Sequence, residues 1–488
     1  MVLHDGLCHD RIDARHPHVR LRSKVVHLRA YGRRRQRLMA YAQHPHSTLF
    51  KLGGRRMQTT SKRQLIKAVA ALGISTATFA FLAPQAFAQS KEIVYQTFLD
   101  PNNSKDPRSA AQTKMIDAFH AKNPDIKVNV LVDPTGQTAS RAIKSGSQTP
   151  DVIRVVGFAV SEFAATGNLL QLDDLVKKDG IPDEDWLLPL SGTKVAGKLY
   201  ALPQDFRIPI LFYRKSMLEK AGVKPPTTWD EVCATGAKFG QSDTIPFAVP
   251  LGATGGLGGA QSLGEFFLST MLPGNGGEYF TPDGKIAFSK ESFIKAAQTI
   301  KDFYTKCKVT PLRSAQMGFN EVHDAIRSGS AAMAVFGLYR YKTVQQQGGG
   351  DDLAWAPAPG YTANDKQTVY SYNIAINKKT ANQDAAWTFV KFMVSPEAQA
   401  FAAEGGEVVS RKSAYTAPYF RTDAGKDQKQ WADLVGQRGQ TVAYTPILST
   451  YHTILGEAFQ RMILKDGSPA DAYDELIERY GAALAKAQ

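Results

Sequence analysis

Residues able to do covalent chemistry are sparse in this chain, and the spacings that would assemble them are missing. Seven of the ten His precede Met57, which leaves His120, His323 and His452 for the rest. Three scattered imidazoles do not build a triad or a metal site. There is no GxxxxGK[ST] phosphate loop, no HExxH pair and no GxSxG elbow. The glycine-rich stretch 251–259 (LGATGGLGG) lacks the GxGxxG spacing and the following acidic residue of a dinucleotide site. Carboxylates cluster at Asp173-Asp174 and at Asp183-Glu184-Asp185, both in polar, loop-like text. Two carboxylates across a glycosidic bond leave a glycan hydrolase open. Of the three Cys, Cys233 lies on an amphipathic stretch, TTWDEVCATGAKFG, and is expected to be a buried thiol. A pairing with Cys307 stays open, because sequence does not show how close the two come. No CxxC and no Cys/His cluster calls for a metal, and no cofactor is expected.

A seam at Met57 decides which residues matter. From there the text runs MQTTSKRQLIKAVAALGISTATFAFLAPQAFAQ, a basic start, a mildly apolar run and Ala86-Phe87-Ala88 before Gln89. That is the layout of an export signal with an A-x-A cleavage site. The apolar run is short and rich in Ala, Gly, Ser and Thr, a poor membrane span. Ser61-Lys62-Arg63-Gln64-Leu65-Ile66-Lys67 is similar to the twin-arginine motif with Lys for its first Arg, so the Tat and Sec routes both stay open. Either leads to the periplasm. Residues 1–56 carry 13 Lys and Arg against 3 Asp and Glu, and the signal adds Lys62, Arg63 and Lys67. About +1 of the formal +14 is left for residues 89–488. A strongly basic chain suggests a nucleic-acid partner; here the basicity belongs to segments the exported chain is expected to lack, and none is expected. Residues 1–56 read as an upstream extension and 57–88 as the signal peptide.

Four hundred residues exceed one core, so two domains are expected. Residues 92–97 (EIVYQT) and 126–132 (IKVNVLV) read as strands, 110–122 as a helix with apolar residues at helical spacing, and 151–156 (DVIRVV) as a short buried strand. Helical and strand patterns keep alternating to the end, which predicts an α/β class.

Four stretches in series then carry more than any one motif. They are TPDVIRVVGFAVSEFAATGNLLQLDDLV at 149–176, GKLYALPQDFRIPILFYRKSMLEKAGVKPPTTWDEV at 197–232, RSGSAAMAVFGLYRY at 327–341, and TANQDAAWTFVKFMVSPEAQAFAAEGGEVVSRKSAY at 380–415. In their order and spacing the chain resembles extracellular solute-binding protein family 1, the maltose-binding-protein-like receptors of sugar ABC transporters, over nearly all of 89–488. Two departures bear on the ligand rather than the fold. Tyr339 stands where Trp is frequent, and Tyr370-Ser371-Tyr372-Asn373-Ile374 replaces a common Gly-Gly start.

The resemblance implies a two-lobed periplasmic-binding-protein-like fold with a ligand cleft and several hinge crossings. One lobe would hold 89–204 and 372–421, the other 205–371 and 422–488. Ligand sites in open α/β sheets lie beyond strand carboxyl ends and between domains, which singles out the loops at 155–160, 204–209, 250–256 and 335–341. A sugar needs aromatic faces for its C–H patches and planar polar groups for its hydroxyls. Phe158, Tyr339 and Tyr372 supply faces; Asp205, Arg207 and Asn373 supply polar clamps; Glu407 and Tyr451 complete the set of candidate ligand contacts. Bland alternatives stand beside these: Phe158 as core, Arg207 as an interlobe ion pair, Glu407 and Arg411 as loop fasteners, and Trp229, Trp355 and Trp387 as core. The implied function is a monomeric, soluble receptor that closes on a mono- or oligosaccharide and delivers it to ABC permease subunits, with no catalysis. A receptor for an anionic non-sugar, such as a glycerol phosphodiester or a uronate, is the second reading, since Arg207, Arg340 and Arg411 suit oxyanions. A periplasmic glycan hydrolase is the third.

Exported protein is expected to begin near Gln89 and to lack 1–56. N-terminal sequencing of periplasmic material checks this, and a start upstream of Met57 would refute it.

Overall fold

The computed structural model describes residues 91–487, apart from 135–136, 241–242, 282, 443 and most of 253–278. The expected extension and signal peptide lie outside the described residues, as does most of the glycine-rich stretch. Among the described residues, no helix is long and apolar enough to cross a membrane.

Two mixed sheets organise the chain. The first has six strands: β1 (Lys91–Thr97), β2 (Ile126–Val132), β3 (Val152–Val156), β6 (Ala201–Arg207), β12 (Tyr370–Ile376) and β13 (Val408–Val409), in the order β13-β6-β12-β3-β1-β2. Here β1 pairs in parallel with β2 and β3, while β12 runs antiparallel to both β3 and β6. The second sheet has four: β7 (Pro209–Arg214), β8 (Ile245–Ala248), β9 (Ala331–Gly337) and β10 (Leu353–Pro357), in the order β10-β7-β9-β8. Two-residue ladders add β4 (Lys194–Val195) with β5 (Lys198–Leu199), and β11 (Gln367–Thr368) with β14 (Gly439–Gln440). The strands expected at 92–97, 126–132 and 151–156 are β1, β2 and β3, and the expected helix is Pro107–Lys122.

Local chemistry explains where the helices start. Asp106 caps Pro107–Lys122 by accepting from Arg108 N, with Pro at the first position, where a missing N–H costs nothing. Ser395 caps Pro396–Glu404 in the same way. Trp229–Phe239 begins with a capping box between Thr228 and Glu231. Each sheet has its own core. Tyr95, Phe119 and Phe389 meet edge-on beneath the first, and Phe247 meets Trp229 and Phe303 edge-on beneath the second. Trp229 and Trp387 are buried as expected, and Trp355 packs edge-on against Trp431.

The chain passes between the sheets with almost no slack. Only Ile208 separates β6 of the first sheet from β7 of the second. The first sheet therefore continues to Arg207 and resumes at Tyr370. One expectation is corrected. Cys233 is not a free buried thiol but is bonded to Cys307, with Cα atoms 5.0 Å apart, because the strand β8 and the helix Lys290–Thr305 bring the two chain segments together.

That bond closes a loop of 74 residues, for which loop-closure entropy gives up to ~4 kcal/mol. Reduction, or Cys233→Ser with Cys307→Ser, is expected to lower the urea midpoint accordingly. An unchanged midpoint would show that the bond adds nothing.

Candidate functional site

Strand β6 (ALPQDFR) is buried along its whole length, yet it carries Gln204, Asp205 and Arg207. Charges in such a place must find partners. Arg154 of β3 puts Nη2 at 2.5 Å from Asp205 Oδ2 and 3.4 Å from Glu407 Oε1. Arg207 places Nε at 2.9 Å from Asp205 Oδ1 and Nη2 at 3.1 Å from Glu407 Oε1. Two guanidinium and two carboxylate groups thus form one neutral square, with side chains at most 6% exposed. Burial alone would weaken the Arg207 charge, but Glu407 and Asp205 outweigh it and hold the guanidinium firmly protonated.

Glu407 is delivered by a fastened loop. Gln399 donates to Gln204 O at 3.2 Å and to Ser410 Oγ at 2.7 Å, and accepts from Arg411 N at 2.8 Å. Arg411 reaches Asp185 Oδ2 at 2.6 Å and stacks 4.7 Å from the Trp186 ring. It is therefore a loop fastener.

Aromatic rings cover the square at the crossing between the sheets. The Arg207 guanidinium lies 4.0 Å from the Tyr372 ring centre and 4.2 Å from that of Tyr339, a double cation–π contact. Tyr372 comes from the first sheet. Tyr339 comes from the turn Leu338–Arg340 that follows β9 of the second. Gly337 lets the Tyr339 ring fold back, since a Cβ there would lie 2.4 Å from Tyr339 Cε1. Phe98 lies 5.0 Å from Arg154 and 5.8 Å from Arg108, which is held by Asp106 at 2.7 Å. Phe98, Tyr339 and Tyr372 remain partly exposed.

Five of the sequence-derived candidates therefore meet in one place: Asp205, Arg207, Tyr339, Tyr372 and Glu407. Asp205 and Glu407 are engaged with arginines and buried, so they act as supports for Arg207. Asn373 is fully buried on β12, its Nδ2 at 3.4 Å from Val155 O and from Ser371 O. Phe158 lies in the helix Gly157–Ala165, and its side chain is outside the described residues. Tyr451 is a correction. It is fully buried in the second core, edge-on to Phe280 at 5.2 Å and Tyr480 at 5.6 Å, because the helix Leu448–Leu464 turns that face inward. Arg154, Phe98 and Arg108 escaped the sequence reading. A signal existed for Arg154, the one charge in the apolar strand VIRVV.

Comparison with known proteins places these features in context. The family model described as bacterial extracellular solute-binding protein matches residues 102–400. A probable amino-acid ABC transporter periplasmic-binding protein of Sinorhizobium fredii is 25% identical, over 57% of this chain and 63% of its own length. The mannitol-binding protein of Pseudomonas aeruginosa is 26% identical over 65% of this chain and 72% of its own. The chain thus spans less than two thirds of the first of these relatives. Among solved structures, the GacH receptor of Streptomyces glaucescens superposes with a TM-score of 0.66 at 23% identity, covering 81% of this chain and 99% of that one. The shared architecture is the two-lobed, mixed α/β periplasmic-binding fold.

Breaking the square should unfold more than it frees. Arg207→Ala leaves two buried carboxylates half-paired, a loss of about 3–5 kcal/mol in ligand-free protein. Thermal and urea melts check this, and a melt unchanged from wild type would show that the pairing carries no weight.

Proposed function

The chain belongs to the bacterial extracellular solute-binding proteins, and on that premise we propose that it captures a carbohydrate at the crossing between its two sheets and delivers it to ABC permease subunits. The observation that carries this reading is the meeting of Tyr339 and Tyr372 on Arg207. One ring rides on each sheet, and both sit where a single residue links β6 to β7. A solute lying on both rings senses the position of both sheets, so binding and lobe closure become one event.

The parts suit a sugar. Inward, each ring face is taken by the Arg207 guanidinium. Outward, the partly exposed faces and edges cover apolar C–H patches of a mono- or oligosaccharide. The buried square keeps Arg207 in place and so fixes the ring positions. This gives Arg207 a supporting role, with Asp205 and Glu407, and gives Tyr339 and Tyr372 the direct contacts. No side chain is asked to do chemistry; the working event is saturable binding without turnover. The mannitol-binding relative supports a polyol or sugar as ligand, and the solved GacH receptor, described in complex with acarbose, supports the same class. The receptor works as an exported monomer in the periplasm, reached by Tat or Sec.

Titration calorimetry and melts over a panel of sugars and sugar alcohols test the assignment. A true ligand at 100 times its Kd raises stability by about 2.7 kcal/mol and shrinks the scattering radius. Tyr339→Ala and Tyr372→Ala should each weaken binding by ~0.5–1.5 kcal/mol, about two- to tenfold in Kd, with a near-wild-type melt when ligand-free. Unchanged Kd in both variants would remove the crossing as the binding place. Consumption of the ligand would replace the receptor with an enzyme.

A further inference from the structure

Most charges at the crossing pair off among the described residues, and Arg340 is not among those that do. Arg154 and Arg207 are matched by Asp205 and Glu407, and Arg108 by Asp106. Arg340, next to Tyr339, forms no salt bridge among the described residues, and its Nε is buried with no hydrogen-bond partner. Its guanidinium rests on aromatic faces, 5.0 Å from the Phe319 ring centre and 5.6 Å from that of Tyr339. It belongs to the second sheet's side of the crossing, yet its charge is felt by Asp106 on the first sheet's side. A histidine on its own side does not neutralise it. His323 is held down to about 4, by burial first and by Arg340 next, and so stays uncharged at neutral pH.

A half-buried guanidinium whose fork of donors is not answered by a carboxylate lacks the partner that normally justifies removing it from water. Ring faces hold it in place but leave its edge donors unused. We propose that Arg340 is the specificity-determining residue of this site and that the solute carries an oxyanion, a carboxylate or a phosphodiester, on a polyhydroxylated frame. The inference rests on the reading above that the crossing is the binding place. Tyr339 and Tyr372 then take the frame, and Arg340 takes the anionic group through two parallel N–H···O bonds. Such a group is what separates a uronate from its parent sugar, or a glycerol phosphodiester from glycerol.

Matched pairs test this in ligand-stripped, full exported protein: galactose against galacturonate, glucose against glucuronate, and glycerol against glycerophosphocholine. Melts and calorimetry give the preference, and the pairs separate the carboxylate source from the phosphodiester source. The acidic member of at least one pair should bind about tenfold or more tightly than its neutral parent. Arg340→Gln should erase that preference, and Arg340→Lys, which keeps the charge without the fork, should retain part of it. Should Arg340→Gln melt well below wild type, the wild-type preference and the Arg340→Lys titration decide the matter. Neutral members binding as well as acidic ones would overturn the charge inference and leave the receptor reading intact. An acidic preference that survives Arg340→Gln would overturn the role of Arg340. Binding by no member of any pair would overturn the inference, and the sugar-receptor reading would then stand or fall on the wider panel of sugars and sugar alcohols.

Discussion

A strand buried on both faces carries charge only if the opposite charge is buried with it, and β6 carries two such residues. Asp205 and Arg207 close this account with Arg154 and Glu407 in a single square of four contacts. Much of the surrounding architecture follows from that need. Arg154 must sit on β3, two strands away across β12. Glu407 must come back from far along the chain, which is why Gln399, Ser410 and Arg411 fasten its loop to β6 and to Asp185. Apolar residues of similar volume would be as stable as such a square or more so. What they would lack is a fixed guanidinium at the exit from the first sheet.

That guanidinium gives the site its shape. Arg207 is the last residue of β6, one residue before the second sheet begins, and it gathers Tyr372 of β12 and Tyr339 of the turn after β9 against its guanidinium. The support is buried, while the rings above it are partly exposed and come from different elements. Stability and recognition are thus divided between neighbouring layers. The square fixes position, the rings lie over it, and Arg340 beside Tyr339 forms no salt bridge among the described residues.

Much of this organisation is legible in the sequence. Alternation in IKVNVLV and the apolar run DVIRVV marked β2 and β3, because sheet burial writes a period into the sequence. The four serial stretches pointed to the family, and Arg207, Tyr339, Tyr372, Asp205 and Glu407 to one region. What escaped depended on contacts between distant segments. Arg154 was read as part of a strand, since the carboxylates that justify it lie far along the chain. Tyr451 was misplaced because an aromatic on an amphipathic helix carries no label for which neighbour its face meets; Phe280 and Tyr480 settle that. Cys233 and Cys307 pair through the packing of a strand and two helices, a proximity no local pattern records.

A crystal structure of the protein purified with its own solute tests the central claim most directly. The account predicts density for a polyhydroxylated, anionic molecule lying on Tyr339 and Tyr372, with Arg340 donating to its anionic group and Arg207 still bonded to Asp205 and Glu407. Solute held elsewhere, with the two tyrosines and Arg340 untouched, would contradict it.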